Sequence, residues 1–376
     1  MTTIYLIRHA EAEGNLFKRI HGQYDSPVTL LGRRQIECLQ QRFADISVDA
    51  VYASDLRRTC QTAEAIYLPK HLPLHVEPAL REINLGVWED KPFGEVMNQD
   101  MEAMRRFTYG DMDWHAEGGE TLKQVQCRAV AALRHIIAAN PDRTVAVFSH
   151  GTAIRLMLTE LSGSDSYLPE GMNTAVSCLE ADEQGIHVRW INDASHLTDE
   201  VMQAAIKPTR TIESETVPAE LFWFRPWDAQ NEAQLYLDWR SEAWLSSHGT
   251  MERYDGAAFL RAAQAHSAYD PSAVQVVLSD GKPAGLIELD FEKGSGDGIG
   301  AIPFYYVDQA HRKRGLGVQL LGQAVSTFRE KGRKKLRLRC APENGTAYRF
   351  YQRCGFRKIG MADDSAVPLY LMERPL

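Results

Sequence analysis

Apolar and polar residues follow two patterns in the first 200 residues: short apolar runs, and longer stretches with helical periodicity. The apolar runs predict strands at residues 3–7, 48–53, 144–148, 175–179 and 186–191. The helical stretches begin at Thr29, near Asp55, at Glu120 and at Thr152. Because strands alternate with helices, we predict a mostly parallel sheet that is covered on both faces.

The pattern changes after residue 219. Residues 205–219 hold two prolines and alternating charges without periodicity, which predicts a linker between one domain at 1–204 and another at 220–376. Strand patterns at 274–278, 284–291 and 299–307 predict an antiparallel meander. The remaining pattern predicts helix 316–331, strand 336–340, helix 345–354 and a strand near 368–372.

Composition and charge narrow the class of protein. The 376 residues are 44% hydrophobic and 24% charged, which excludes a disordered chain and suits two domains. The net charge of -8 excludes a general attraction to nucleic acid, although residues 311–358 hold fourteen Lys and Arg and two acids. A local anionic partner therefore stays open.

Cysteines and apolar runs indicate the compartment. Six cysteines without a CxxC pair predict reduced thiols and no zinc site. The N-terminus lacks the pattern of a signal peptide, and no apolar run approaches the roughly 20 residues that span a membrane. We therefore expect a cytoplasmic protein with neither nucleic-acid nor membrane partners.

Charged and imidazole side chains stand where predicted strands end. Arg8 and His9 follow the first strand, and His150 follows the strand at 144–148. Ligands of an open parallel sheet bind beyond the carboxyl ends of its strands, so both histidines are expected in one pocket. Arg58 begins a helix near the same edge, and Glu82 lies in a loop that is able to cover it.

These residue types suit phosphoryl transfer. A neutral imidazole is a good nucleophile towards phosphorus, and guanidinium groups match the charged equatorial oxygens. A carboxylic acid of raised pKa supplies a proton to the leaving alkoxide. Taken singly, each residue has an ordinary alternative: His150 as a structural histidine, and Glu82 as a solvated loop charge.

Six segments together resemble the histidine phosphatase superfamily, which includes the cofactor-dependent phosphoglycerate mutases. They are LIRHAEAEGN, PVTLLGRRQ, YASDLRRTCQTA, LREINLGVWED, GGETL and FSHGTAIR, in the family's order. The resemblance implies a phosphoglycerate mutase-like, three-layer α/β domain that needs no metal or cofactor. It implies that His9 is the nucleophile and Glu82 the proton donor, and that the phosphoryl group is held by Arg8, Arg58, His150 and, as an auxiliary contact, Asn15.

Two details refine this resemblance. Ala10 stands where the family's signature usually has glycine. The segment from Asp90 to Gly119 is shorter than the insertions with which mutases of the family enclose their substrate. We therefore expect a phosphatase that acts on a small phosphorylated metabolite, and a mutase-type phosphotransferase is the alternative.

A second motif, HRKRGLGVQLL, lies between the strand at 299–307 and the next helix. A glycine turn before a helix can point several N–H groups at a pyrophosphate, although it is often only a helix cap. With APENGTAYRFYQRCGF further on, residues 220–376 resemble the GNAT acetyltransferases. The resemblance implies a mixed-sheet α+β domain in which acetyl-CoA is held by Arg312, Lys313, Arg314, Gly315, Leu316 and Gly317.

Three further residues complete the predicted acetyltransferase site. The resemblance implies that Tyr351 protonates the leaving thiolate and that Asn344 lies near the pantetheine arm, while a core aromatic and a helix cap are the alternatives. Glu288 is the candidate base, with a surface charge as the alternative.

The two motif sets together predict a bifunctional enzyme. Its second activity is acetyl transfer to an amine, either a small molecule or a protein N-terminus. A non-catalytic acetyl-CoA-binding regulatory module is one alternative for the second domain. A further hypothesis is that one metabolite is dephosphorylated and then N-acetylated.

Overall fold

The computed structural model describes residues 1–164, 167–205, 209–212, 215–218, 220–362 and 367–376. Chain contacts separate two compact units, the first holding residues 1–91 and 96–207 and the second holding 92–95 and 208–376. The predicted linker lies partly outside the described residues, at 206–208, 213–214 and 219. Within it, two short strands, β7 (Thr209–Ile212) and β8 (Glu215–Pro218), pair antiparallel. The linker and the exact domain limits stay predictions.

A six-stranded sheet forms the centre of the first unit, in the order β3-β2-β4-β1-β5-β6. The strands are β1 (Thr2–Arg8), β2 (Ala50–Ala53), β3 (Leu74–Val76), β4 (Thr144–Ser149), β5 (Val176–Asp182) and β6 (Gly185–Asp193). The first four pair in parallel, and β5 and β6 add antiparallel pairs. The predicted mostly parallel α/β sheet is thereby confirmed.

Helices surround this sheet, and their starts follow local capping. Thr29 accepts a hydrogen bond from the Gly32 N–H, and Thr121 forms a capping box with Gln124, so both helices begin close to their predicted starts. The helices up to residue 205 are α1 (Glu13–Phe17), α2 (Leu30–Arg42), α3 (Arg57–Tyr67), α4 (Phe93–Gln99), α5 (Met101–Tyr109), α6 (Leu122–Ala139), α7 (Gly151–Ser162) and α8 (Asp199–Ala205).

Apolar side chains of the central strands alternate between two buried clusters, one on each face of the sheet. On one face Leu6 and Val147 pack with residues of α6 and α7, such as Leu133. On the other face Ile7 and Phe148 pack with residues of α2 and α3. This two-sided burial explains why β1 and β4 appear in the sequence as continuous apolar runs.

The second unit is built on a seven-stranded mixed sheet in the order β14-β15-β13-β12-β11-β10-β9. The strands are β9 (Trp223–Pro226), β10 (Val274–Ser279), β11 (Lys282–Asp290), β12 (Ile299–Val307), β13 (Lys335–Cys340), β14 (Arg357–Met361) and β15 (Tyr370–Pro375). The antiparallel pairing of β10, β11 and β12 confirms the predicted meander. β12 and β13 are parallel and pair only through residues 299–302 and 335–338.

Helices pack against this second sheet as well. They are α9 (Ala233–His248), α10 (Gly256–Tyr269), α11 (Gly317–Glu330) and α12 (Gly345–Arg353). The periodicity predicts α11 and α12 but not α9 and α10, because Tyr236 and Trp239 are the buried residues of α9 and Ala263 is that of α10. Within the described residues, no helix is both long and apolar enough to cross a membrane.

Candidate active sites

The carboxyl ends of two neighbouring parallel strands bring the predicted histidines together. β1 ends opposite β4, with Arg8 paired to Ser149, so His9 and His150 leave the sheet at the same edge. Their ring centroids lie 5.2 Å apart, and both side chains are buried. The two histidines therefore share one pocket.

The protonation of His9 follows from one contact. Its Nδ1 atom lies 2.7 Å from the carbonyl oxygen of Ala10. A carbonyl oxygen only accepts, so Nδ1 carries the proton and the lone pair is on Nε2. Burial, together with the nearby charges of Arg58 and Arg8, holds the pKa of His9 well below its usual range. His9 is thus a neutral imidazole with a free Nε2.

Arg58 is a buried guanidinium that is held by a turn of the chain. Its terminal nitrogens donate to the carbonyl oxygens of Tyr24 at 3.0 Å and Gly22 at 2.6 Å. Burial lowers the pKa of Arg58 to about 10, so the group still carries its charge near neutral pH. Its Nε atom is buried and has no hydrogen-bond partner among the described residues.

The guanidinium group of Arg8 is likewise held through its terminal nitrogens, but by different partners. One terminal nitrogen donates to the carbonyl oxygen of Gly171 at 2.5 Å, and the other lies 2.5 Å from a carboxylate oxygen of Glu170. Its Nε atom is buried without a described partner. Asn15 lies close by in sequence and accepts from the Ala12 N–H at 3.0 Å, which caps α1.

His150 is the first residue before α7 and is completely buried. Its Nε2 atom lies 2.7 Å from the hydroxyl oxygen of Ser54, and its Nδ1 atom has no described partner. Burial and the charge of Arg58 hold the pKa of His150 well below its usual range. The ring is therefore neutral near neutral pH.

Three buried nitrogens without a described partner thus belong to residues that were predicted to hold a phosphoryl group. They are Nε of Arg8, Nε of Arg58 and Nδ1 of His150. A buried polar group without a partner costs about 1–3 kcal/mol, so such a set is unusual in a folded protein. Oxygens of a phosphoryl group are suitable partners for all three.

Glu82 lies over the start of α7. Its two carboxyl oxygens accept from the backbone N–H groups of Ile83 at 3.0 Å, Ala153 at 3.1 Å and Thr152 at 3.0 Å. Burial nevertheless raises the pKa of this carboxyl above its usual value. A carboxyl group whose pKa is raised is a candidate proton donor.

Arg128 is a positioning residue that the sequence reasoning missed. It donates to the carbonyl oxygens of Arg81 at 2.7 Å and Glu82 at 2.8 Å, and it pairs with Glu120 at 2.8 Å. The signal was present, because Arg128 lies three residues after Val125 and thus on the apolar side of its helix. It fixes the loop that presents Glu82.

Glu170 and Asn173 were also missed. Asn173 donates from Nδ2 to the carbonyl oxygen of His9 at 3.0 Å, and Glu170 binds Arg8. They lie in an irregular segment between α7 and β5, where no periodicity marks them. No group of three or more metal-ligating side chains occurs within the part of the chain that the structure describes.

In the second unit, the glycine turn lies between β12 and α11 as predicted. Lys313 and Gly315 have φ values of 60° and 73°, and a side chain on Gly315 would enter open space. A Cβ on Gly317 would lie 2.8 Å from the Tyr305 hydroxyl, so a larger residue here would have to displace that side chain. No described hydrogen bond uses the backbone N–H groups of residues 313–317. These groups and the N-terminus of α11 fit a pyrophosphate.

The arginines of this turn already have carboxylate partners. Arg312 pairs with Glu242 and Arg314 with Glu220, each at 2.8 Å. Leu316 is buried and anchors the start of the helix. Unlike these two arginine side chains, the backbone N–H groups of the turn make no described hydrogen bond.

Tyr351 and Asn344 lie on α12 and at its start. Tyr351 is buried beside Tyr305 and Phe356, and burial raises the pKa of its phenol, which stays protonated. Asn344 accepts from the Ala347 N–H at 3.0 Å, so it caps the helix. Its Nδ2 atom lies 3.4 Å from the hydroxyl of Ser247.

Glu288 lies in a buried polar group under α9 and α10. One carboxylate oxygen accepts from the Tyr236 hydroxyl at 2.9 Å, and the other bonds to Nδ1 of His266 at 2.9 Å. The hydrogen bond to Glu288 raises the pKa of His266. Glu288 itself is 2% exposed, whereas 18% of the His266 side chain is exposed. The predicted role of Glu288 as a base thus depends on His266 as its route to solvent.

Comparison with known proteins supports the family resemblances of both halves of the chain. The model of the histidine phosphatase superfamily (branch 1) matches residues 4–194, and that of the acetyltransferase (GNAT) family matches residues 233–356. A protein named probable phosphoglycerate mutase GpmB from Proteus mirabilis is 31% identical over 207 residues, which are 53% of this chain and 96% of the relative.

Two further comparisons cover the same half. A protein of the same name from Yersinia pestis is 32% identical over 205 residues, 52% of this chain and 95% of the relative. The solved structure of YhfR from Bacillus stearothermophilus has 30% identity and a TM-score of 0.50, and covers 52% of this chain and 99% of its own.

Proposed function

The chain belongs to the histidine phosphatase superfamily, whose model matches residues 4–194, and we propose that this first domain hydrolyses phosphomonoesters of small metabolites. The reaction passes through a phosphohistidine at His9 and needs no metal ion. The contact between Nδ1 of His9 and the Ala10 carbonyl oxygen supports this proposal most strongly. It leaves an unprotonated Nε2 in a pocket that contains two guanidinium groups. Nucleophile and anion-binding groups are thus present together.

In the first step, Nε2 of His9 attacks phosphorus. The nitrogen–phosphorus bond forms while the bond from phosphorus to the alcohol oxygen breaks. Arg8 and Arg58 donate from Nε, and His150 from Nδ1, to the equatorial oxygens, with Asn15 as an auxiliary contact. His150 has this role in the tautomer with the proton on Nδ1, in which its Nε2 accepts from the Ser54 hydroxyl.

Glu82 serves both steps as the proton carrier. In the first step its carboxyl proton passes to the leaving alkoxide. In the second step its carboxylate takes a proton from water, which attacks the phosphorus and releases His9 and inorganic phosphate. Glu82 ends protonated, so the cycle closes without another acid.

Hydrolysis is proposed over phosphate return because of the segment between Asp90 and Gly119. It contains only the short helices α4 and α5, of 7 and 9 residues. A mutase has to retain its alcohol while the phosphate is returned, and a longer lid would serve that purpose. Phosphoglycerate mutase activity, after which the GpmB relatives are named, is the alternative.

The test uses the purified full chain with p-nitrophenyl phosphate in EDTA. We expect phosphate release by the wild type and none by His9→Ala. His135→Ala, a change to an exposed histidine on α6, is the matched control and keeps full activity. Activity that survives in His9→Ala contradicts the role of His9, and loss in EDTA contradicts metal independence.

The mutase alternative has its own assay. The chain is given 3-phosphoglycerate with a bisphosphoglycerate primer, and the products are followed by nuclear magnetic resonance. Inorganic phosphate as the main product supports hydrolysis. Formation of 2-phosphoglycerate faster than phosphate release would replace it by mutase activity.

The GNAT domain implies acetyl-CoA as its cosubstrate, and we propose that it transfers the acetyl group to an amine. The N–H groups of residues 313–317, which make no described hydrogen bond, would hold the pyrophosphate. Tyr351, whose phenol stays protonated, would donate its proton to the departing thiolate. Glu288, through His266, would take the proton of the amine. Asn344 would contact the pantetheine arm.

Acetyl transfer to a panel of small amines and N-terminal peptides tests this second proposal. We expect transfer by the wild type and a large loss in Tyr351→Phe, while calorimetry shows that acetyl-CoA still binds. Binding without transfer to any amine would instead favour a regulatory module that only senses acetyl-CoA.

A further inference from the structure

A carboxylate lies inside the proposed phosphate site. One oxygen of Glu170 is 2.5 Å from a terminal nitrogen of Arg8. The same carboxylate lies against Gly151, the residue after His150, so closely that a Cβ at position 151 would overlap with it. Glu170 therefore binds Arg8 and lies against the residue that follows His150.

This carboxylate and a phosphoryl group can bind Arg8 at the same time. Both terminal nitrogens of Arg8 are occupied, one by Glu170 and one by the Gly171 carbonyl oxygen, whereas Nε is buried without a described partner. A phosphoryl oxygen that accepts from Nε leaves the bond between Arg8 and Glu170 intact. Glu170 then remains as a wall of the occupied site.

The charge of this wall acts on the alcohol part of the substrate. The Glu170 side chain is 42% exposed, so it is accessible from solvent while it binds Arg8. It also acts on Glu82, whose pKa it helps to raise. An alcohol that leaves towards Glu82 is thus subject to the charge of Glu170 as well.

We propose that Glu170 is a specificity-determining residue that selects phosphomonoesters by the charge of their alcohol. It favours alcohols with an ammonium group and disfavours alcohols with a carboxylate. The inference rests on the proposed phosphatase function. Coulomb interaction at about 6 Å in a partly exposed site is sufficient for a roughly tenfold effect. Such an amino alcohol also carries the kind of group that an N-acetyltransferase modifies.

The experiment compares three small phosphomonoesters that differ in charge: phosphoethanolamine, glycerol 3-phosphate and 3-phosphoglycerate. We expect kcat/KM of the wild type to fall in that order. In Glu170→Gln the ratio between the first and the last should shrink about tenfold, while Glu170→Asp keeps it. Glu160→Gln, which removes an exposed carboxylate on α7, is the matched control and leaves the ratio unchanged.

One outcome would overturn the proposal. In that outcome Glu170 only fills the site until phosphate displaces it. Glu170→Gln then raises kcat/KM for all three substrates, and the affinity for inorganic phosphate, by the same factor. The ratio of kcat/KM between phosphoethanolamine and 3-phosphoglycerate stays constant. Calorimetry of the three esters with His9→Ala, with and without Glu170→Gln, measures the same selectivity as a ratio of binding affinities, without turnover. Absence of hydrolysis in the wild type would therefore contradict the phosphatase function alone.

Discussion

The imidazole of His9 donates from Nδ1 to the carbonyl oxygen of Ala10, the next residue in the chain, at 2.7 Å. Because Nδ1 is occupied, the phosphoryl group is expected on Nε2 alone. The enzyme is trapped with substrate by rapid alkaline quenching, and the isomer is identified by phosphorus and nitrogen nuclear magnetic resonance. A phosphoryl group on Nδ1 would show that this hydrogen bond breaks during turnover.

Ala10 is expected to stabilise the domain rather than to hinder its chemistry. Its side chain is fully buried beside Phe148, and its φ lies outside the left-handed region, so nothing here requires glycine. Ala10→Gly should lower the free energy of unfolding by about 1–2 kcal/mol through lost methyl burial and added backbone entropy. Urea unfolding measures the loss, and kcat/KM should stay within about twofold of the wild type. A change in activity without a change in stability would assign Ala10 to the site itself.

Glu82→Gln should impair substrates in proportion to the basicity of their leaving group. An alkyl phosphate needs a proton on its leaving oxygen, so we expect a loss of about 10²–10⁴ in kcat/KM. p-Nitrophenyl phosphate releases p-nitrophenolate, a stable anion that needs no proton, so the first step with this substrate should lose far less. The measurement is kcat/KM for a series of aryl and alkyl esters. Equal losses across the series would assign Glu82 to binding.

Because burial raises the pKa of Glu82, the wild type should also lose first-step activity as pH rises through that value. The loss occurs because the acid form disappears at higher pH. Glu82→Gln should lack this basic limb for alkyl esters. The limb is read from kcat/KM against pH.

The buried histidines should make the first domain sensitive to acid. Folded-state pKa values of His9 and His150 lie well below about 6.5, the value in an unfolded chain. As pH falls below 6.5, the unfolded chain binds protons that the folded chain does not. Stability therefore falls towards low pH, by up to about 1.4 kcal/mol per pH unit for each histidine.

Calorimetric unfolding between pH 8 and pH 5, in buffer without phosphate, measures this slope. His150→Asn removes one titrating group, so its stability should depend less on pH than that of the wild type. The unfolding transition whose temperature depends on pH in this way is that of the first domain. An unchanged slope would mean that His150 is protonated in the folded chain.

Gly317→Ala should prevent acetyl-CoA binding without unfolding the second domain. Its methyl group would meet the Tyr305 hydroxyl at 2.8 Å and would shift the start of α11, where the proposed pyrophosphate site lies. We expect affinity to fall at least tenfold by calorimetry, with unchanged circular dichroism. Gly296→Ala is the control, since a Cβ there meets nothing within 4 Å. Equal affinities of the two variants would place the binding site elsewhere.

The sequence predicts well the buried strands and the residues that stand at their ends. Continuous apolar runs located β1 and β4, and the residues after them, His9 and His150, did meet in one pocket. It could not predict β3, whose residues are half or fully exposed. Nor could it show that the Glu170 carboxylate reaches Arg8, because that contact joins residues 162 positions apart through an irregular segment.

The sequence also could not predict the roles of individual atoms or the burial of particular side chains. Which nitrogen of His9 is free depends on a backbone carbonyl, and the buried state of Glu288 depends on helices α9 and α10, which the periodicity does not predict. Residue type and order identify chemistry, whereas orientation is set by packing between distant segments.

β1 lies between β4 and β5 in the sheet of the first unit. Its neighbours are residues 144–149 on one side and 176–182 on the other. During synthesis this apolar strand stays unpaired on the second side until about residue 182 has emerged. A chain that ends before residue 176 therefore leaves one edge of β1, the strand that positions His9, without its partner.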